Sequence, residues 1–483
     1  MKTKGKKPRT AEGIAETVEE SPAVAAAPAE PPLSVGSAKV EVTPPLTIPY
    51  LAYVPRHEFF EGVHDPLYAK AVVVGDGRNR VALVSVDMIG LARDVMGGGR
   101  DFIAEVRERV ESTSGIPAGH VSVSATHAHS TPECLGLRSL IRHPGALSWL
   151  ETLRDQIVSA VVMADRNREP ARLKMAVGQV HEVGRSRRPV GKDGKLIAWA
   201  RAARAGHLVA DWGAFDPDVT VLCFETPDGR PRTVLAHFAC HPVTVQVQPL
   251  VSADFPGAAA AFVEQAGIGC EHCIYLQGAS GSINPVRNTS DFSDVRLYGR
   301  ILGAEIVKQV SILQAPGYPV QRSIVAAASE LVSLPSRALP DLGPLEQAER
   351  EARKAFDQAP TAGERQKAQW AFLKAEEQAE RTRRGRRPRI GEVRAIRLGE
   401  CVLIGVPGEP FAELGLEFKK LHGTARTLCV GYANGYLGYI APPSGWKLGG
   451  YETSLGTWSV VGPGAFAIIL QAARRLVRQL MAT

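Results

Sequence analysis

Four polar signals, far apart in the chain, each sit where an apolar run ends: Thr126-His127-Ala128-His129-Ser130 after VSVSA, His241-Pro242 after TVLAHFAC, Gly408-Glu409 after CVLIGVP, and Gly431-Tyr432-Ala433-Asn434 after TLCV. Neutral imidazole is the commonest transition-metal ligand. Two imidazoles and one carboxylate on zinc leave an open position, as catalytic sites require. Zinc brings the pKa of a bound water to about 7 and polarises a carbonyl. A neighbouring cation and phenol would steady the oxyanion of an acyl-transfer step. Taken singly, each signal has a plainer reading. His-x-His is compatible with two hydrogen-bonded histidines, and residues two apart share a strand face, so one metal could see one or both of His127 and His129. His241 before Pro242 reads as a turn, and Glu409 as an acidic residue favoured at a helix start. Their common placement raises the odds for a shared site.

That placement depends on strands. Runs rich in Val, Ile and Leu punctuated by Gly or Pro read as buried strands, and α/β folds bind ligands beyond the carboxyl ends of such strands. Residues 71–90 read as a hairpin turning at Gly75-Asp76-Gly77, and TVLCFETPDGRPRTVLAHFAC as another around Pro227-Asp228-Gly229. Helical spacing runs over 148–166 and DFPGAAAAFVEQAG, with Asp254 as a candidate N-cap. VRAIRLGECVLIGV returns to hairpin character, and GPGAFAIILQAARRLVRQL closes the chain as a helix. About 344–386 is charged, Ala-rich and broken at Pro360, a helical hairpin inserted in the α/β domain as a lid or contact surface. The expected fold class is α/β, a large mixed β-sheet core flanked by helices with that hairpin inserted. The pattern shows no internal repeat. Residues 1–33 are expected to be a disordered Ala/Pro-rich tail, with one domain over 34–483.

At 483 residues and 45% hydrophobic, the chain can bury a large core. No apolar run is long enough to span a bilayer. The Lys-rich start is not followed by an apolar h-region, so a cytoplasmic location is expected. Seven cysteines (134, 223, 240, 270, 273, 401, 429) are too sparse and odd in number for a disulfide scaffold. Cys270-Glu271-His272-Cys273 stands without a second such pair, which favours a structural role over zinc binding or redox cycling. Much of the net charge of +7 comes from Arg381, Arg383, Arg384, Arg386, Arg387 and Arg389. No aromatic residues interleave them, so a solvated helix end is preferred to an anion-binding patch and no nucleic acid is expected.

The set THAHS, HPVT followed by SADFPG, QGASGSINP, GVPGE and GYANGYLGY…GYE resembles the catalytic domain of the neutral/alkaline ceramidases, from about Val35 to the final helix. The resemblance implies a zinc-dependent amidase that releases a fatty acid from an N-acylated sphingoid base. Position by position it implies one Zn2+ per chain held by His127, His241, Glu409 and Tyr439, although spacing alone does not choose Tyr439 over Tyr436 or Tyr432. It further implies His129 beside the metal, Tyr451 as the oxyanion-assisting tyrosine followed by a matching Glu452, and Arg185 as the active-site arginine ahead of Arg187 or Arg188. The sequence departs from the family in two ways. The family's G-D-V-S-P-N loop reads here Gly281-Ser282-Ile283-Asn284-Pro285, which puts Asn284 at the position of the serine nucleophile. Ser280 and Ser282 lie a few residues off, and two residues along an extended chain move a hydroxyl by roughly 6–7 Å. The family's C-terminal immunoglobulin-like domain is also not expected in this chain.

These readings point to a zinc hydrolase of an amide bond in which zinc-activated water replaces the serine. Asn284 would donate to the acyl oxygen and His129 would move protons. The substrate would be ceramide or another small-molecule or lipid-like N-acyl compound. Two rivals remain: acyl transfer or ring closure on the same zinc site, and a non-catalytic zinc-binding scaffold. The oligomeric state is open.

Overall fold

The computed structural model describes residues 1–2, 33–50, 59–136, 140–246, 248–287, 289–385, 389–422 and 426–482. The expected Ala/Pro-rich tail therefore falls, over 3–32, outside the described residues, as do Arg386 and Arg387 of the arginine run.

One pattern is laid down three times along the chain. In the first unit, β1 (Leu33–Glu41), β2 (Tyr68–Gly75) and β3 (Arg80–Val86) pair antiparallel in sequence order. Helix α1 (Phe102–Ser114) then crosses over to β4 (Val121–Ala125), which lies parallel to β3, and α2 (Ala146–Arg166) closes the unit. The second unit repeats this with β5 (Glu169–Gln179), β6 (Asp218–Glu225), β7 (Pro231–Phe238), α3 (Asp254–Gln265), β8 (His272–Gln277) and α4 (Phe292–Leu313). In the third, β9 (Val325–Leu334) is followed by two inserted helices, α5 (Leu342–Asp357) and α6 (Ala362–Arg383). The pattern then resumes with β10 (Arg389–Leu398), β11 (Cys401–Gly405), α7 (Ala412–Phe418), β12 (Arg426–Val430) and α8 (Ala465–Met481).

This corrects the expectation of no internal repeat. A strand asks only for apolar alternation and a turn for its glycine, so three copies can share a topology without sharing residues.

The first two units join through antiparallel β1 and β5 into one eight-stranded mixed sheet, and the third forms a separate four-stranded sheet. The two sheets pack face to face. Val72, Leu222 and Ile274 of one meet Ile396, Leu403 and Leu428 of the other in a single apolar cluster. On the outer faces, α1 and α2 cover the first unit, α3 and α4 the second, and α7 and α8 the third. The result is the expected mixed α/β fold flanked by helices, organised as helix, sheet, sheet and helix layers. Strands buried on both faces explain their continuous Val/Ile/Leu runs.

The inserted hairpin is braced at its base. Arg381 is fully buried and donates to the Val460 carbonyl (3.1 Å), Arg383 pairs with Glu346 and Glu349, and Arg384 donates to the Gly136 carbonyl (2.8 Å). The described part of the arginine run thus holds the hairpin in place. All seven cysteines are buried thiols. Among the described residues, no helix is long and apolar enough to cross a membrane.

Candidate metal centre

In every unit the third and fourth strands run parallel and end side by side. The loops beyond those ends carry the polar signals, and hydrogen bonds between units bring the loops together. Asn434 joins the third unit to the first, its backbone N–H donating to Val123 O (2.7 Å) and its Oδ1 accepting from Val123 N (3.0 Å). Gln277 joins the second to the first, donating to Thr126 O (3.0 Å) and Cys240 O (2.9 Å). Gly281 and Gly431 join the second and third, donating to Pro410 O (2.8 Å) and Gln277 O (2.9 Å).

At the convergence stand His127, His129, His241 and Glu409, all buried. The donor nitrogens of the three histidines lie within 4.8 Å of one another, a set that could hold a metal ion. His127 Nδ1 is 2.5 Å from Ile89 O, and His241 Nδ1 is 2.6 Å from Ser280 O. A carbonyl only accepts, so each Nδ1 carries its proton and each Nε2 turns a lone pair inward, the arrangement that orients metal-binding histidines. His241 Nε2 lies 3.1 Å and His127 Nε2 3.5 Å from Glu409 Oε2, and the Nε2 atoms of His127 and His129 are 3.0 Å apart. Ligands at 2.0–2.2 Å around a tetrahedral ion stand about 3.3–3.6 Å from each other. His241 Nε2, though buried, makes no hydrogen bond with any described group. The residues present fit a metal ion.

Electrostatics agree. Burial, helped by the Arg187 guanidinium, holds His241 down at about 4, so it is a neutral imidazole at neutral pH. Glu409 stays ionised beside the histidines, its carboxyl held well below the usual carboxylate range against the opposing effect of burial. Glu409 Oε1 accepts from Tyr436 Oη (2.5 Å), and Oε2 lies 3.4 Å from Tyr432 Oη. Tyr439 stands opposite Glu409 in a two-residue parallel pairing, and its hydroxyl accepts from Arg187 Nη2 (3.0 Å).

A second group of side chains forms the mouth. Arg187 also donates to Glu452 Oε1 (2.8 Å), Gly281 O (2.8 Å) and Asn284 Oδ1 (3.2 Å). Arg188 pairs with the other Glu452 oxygen and donates to Gly449 O (2.6 Å). The half-exposed Tyr451 stacks on Trp458 (4.7 Å) and meets the edge of Tyr439 (6.0 Å). Beside them opens a cavity of about 400 Å³, its floor made by Arg187, Arg188 and Glu452 and its wall by Leu196, Ile197, Trp199 and Tyr451.

The expected Arg185 is not in this group. It is exposed, with its guanidinium 4.7 Å over the Trp212 ring. The short strand carrying it ends at Ser186, and Arg187 then donates its backbone N–H to Ser282 O (2.8 Å), which brings the Arg187 side chain inward. Of the nearby serines, Ser282 Oγ accepts from Ala412 N (3.0 Å) and Ser280 Oγ lies 3.1 Å from Tyr432 Oη. Both are buried. The sequence had offered Tyr432 within a polar signal and, with Tyr436, as a rival to Tyr439, and Gln277 within QGASGSINP without a role; it gave no sign of the cavity wall.

A sequence profile described as Neutral/alkaline non-lysosomal ceramidase, N-terminal, matches residues 33–285. The chain belongs to this ceramidase family. Among curated relatives, Neutral ceramidase of Mycobacterium tuberculosis is 35% identical over 80 residues, 15% of this chain and 13% of that protein. Neutral ceramidase B of Dictyostelium discoideum is 24% identical over 239 residues, 46% of this chain and 31% of that protein. The matched stretches thus span less than a third of either relative. The crystal structure of neutral ceramidase from Pseudomonas aeruginosa superposes with a TM-score of 0.68 at 17% identity, covering 94% of this chain and 75% of that one. A ceramidase complexed with C2 gives 0.65 at 16% identity, over 93% and 76%. At such identities the likeness shows the shared ceramidase fold.

Proposed function

We propose that this family member is a zinc-dependent hydrolase of a carbon–nitrogen amide bond, with ceramide or another N-acyl compound as substrate and water as the nucleophile. The observation that carries the reading is the convergence of two backbone-oriented imidazole nitrogens on one buried carboxylate oxygen, at 3.5 and 3.1 Å. His127, His241, Glu409 and Tyr439 would hold one Zn2+. The ion would supply a Lewis acid that polarises the acyl carbonyl and brings a water's pKa to about 7.

The chain's own groups set the rest. His129, beside His127, would accept the proton released by the attacking water and return it to the departing amine. Arginine only donates, so the Arg187–Asn284 contact fixes Oδ1 toward Arg187 and leaves the Asn284 amide N–H groups to donate to the acyl oxygen. Tyr451, which lines the cavity at the mouth, would add a second donor. An asparagine cannot form an acyl-enzyme under ordinary conditions, and the hydroxyls of Ser280 and Ser282 already serve Tyr432 and the start of α7. Leu196, Ile197 and Trp199 offer an apolar wall to one arm of the substrate, while the charged floor is largely satisfied within itself. That favours an apolar arm over an anionic one.

The test is zinc stoichiometry on purified wild type and His241→Ala, followed by product analysis on a panel of N-acyl substrates with and without an amine acceptor. About one zinc per chain, lost in the variant, with a free acid as product supports the proposal. A new amide formed only with the acceptor redirects it to acyl transfer. No zinc in wild type after reconstitution overturns it.

A further inference from the structure

His127 is the second residue past the end of the first unit's fourth strand, and Tyr432 holds the same place in the third unit. Both adopt left-handed backbone, with φ of 69° and 52°. In the second unit that place belongs to Ala279, whose φ is not positive. Positive φ is rare for aromatic residues and persists only where the surroundings enforce it. Here it brings the two rings face to face, with centroids 3.8 Å apart and planes inclined by 16°.

From that position Tyr432, itself buried, contacts His127 and Glu409 and stands edge-on to His241, with ring centroids 6.4 Å apart. Its ring covers His127, and its hydroxyl lies 3.4 Å from Glu409 Oε2 and 3.1 Å from Ser280 Oγ. Ser280 in turn accepts, through its carbonyl, the Nδ1 proton of His241 at 2.6 Å. The Tyr432 backbone N–H donates to Gly408 O (2.9 Å), the residue before Glu409. One side chain thus stacks on one imidazole, faces the carboxylate oxygen shared by both histidines, and meets the hydroxyl of the serine whose carbonyl orients the other imidazole.

We propose that Tyr432 is a positioning residue of the metal centre, setting the mutual geometry of His127, His241 and Glu409 without itself holding the ion. The proposal rests on the metal-binding reading above. Groups that orient metal ligands typically change metal affinity about 10- to 100-fold when removed.

Wild type, Tyr432→Phe and Tyr432→Leu, each as the full chain, are titrated with zinc against a competing chelator and loaded with cobalt(II) for visible spectroscopy. Phenylalanine keeps the stack and loses the hydroxyl. Y432F is expected to bind zinc about 10-fold more weakly and to alter the cobalt band, and Y432L about 100-fold more weakly. Y432F decides the matter, so a misfolded Y432L leaves the test intact. Wild-type affinity and spectrum in Y432F overturn the proposal alone, as does a lowered melting temperature with both unchanged. Wild type that binds neither metal overturns the metal reading and this proposal together.

Discussion

The inner wall of the site and its mouth are built by different means. On the inner wall, His127 and His241 are oriented by main-chain carbonyls, at Ile89 and Ser280, and none of the four clustered side chains has contact with solvent to speak of. At the mouth, Arg187, Arg188 and Glu452 hold one another by side-chain ion pairs, and Tyr451 is 41% exposed. A backbone-held wall tolerates little change in what it binds. A wall of loop side chains can be altered a residue at a time. The inner wall therefore suits a fixed chemistry, and the mouth suits a variable substrate.

The sharpest test of that contrast is to remove one group from each side. Glu409→Gln keeps the shape of the inner wall but takes away the charge that His127 and His241 face, and zinc content and hydrolysis should both fall to background. Arg187→Ala at the mouth strips Glu452 of one of two cations and unties Asn284 and Tyr439. Breaking such a pair costs about 3 kcal/mol, to be read from denaturant unfolding, while zinc binding should weaken about 10-fold through Tyr439 rather than fall to background. Equal loss of zinc in both variants would erase the distinction between the two walls. A subtler probe is Asn284→Ala, which removes the donor proposed for the acyl oxygen. An oxyanion donor contributes roughly 100-fold or more to kcat, so kcat should fall by that order with zinc content and folding unchanged. An N284A variant that keeps its kcat would show that Asn284 does not face the acyl oxygen.

The inner wall was largely legible in the sequence and the mouth was not. A strand end announces itself through its apolar run, so His127, His241 and Glu409 could be placed beyond three such ends before any contact was known. The repeat behind that placement was half visible, in Gly75-Asp76-Gly77, Pro227-Asp228-Gly229 and Gly399, each turning a hairpin into the third strand of its unit. What hid it was the pairing of the fourth strand with the third across a helix, a contact no local pattern records, and the helices α5 and α6 lodged between β9 and β10. The mouth rests on contacts between distant loops, such as Arg187 with Glu452, and composition carries no trace of them. Arg185 illustrates the limit: three arginines within four residues differ only in where the chain turns after Ser186.

The smallest expected effect settles that choice. Arg185→Ala removes an exposed guanidinium stacked on Trp212, a cation–π contact whose loss costs about 0.5–1 kcal/mol. Hydrolysis should stay within about twofold of wild type, since the guanidinium lies over Trp212, although the Arg185 backbone pairs with Asn284. Arg187→Lys, by contrast, keeps the charge but cannot reach Glu452, Asn284, Gly281 and Tyr439 at once, because an ammonium lacks the planar fork that spans them. It should lose much of its kcat while binding zinc far better than Glu409→Gln. If R185A and R187K proved equally impaired on one substrate, the active-site arginine would be shared between the two positions, and the mouth would reach outward as far as Trp212.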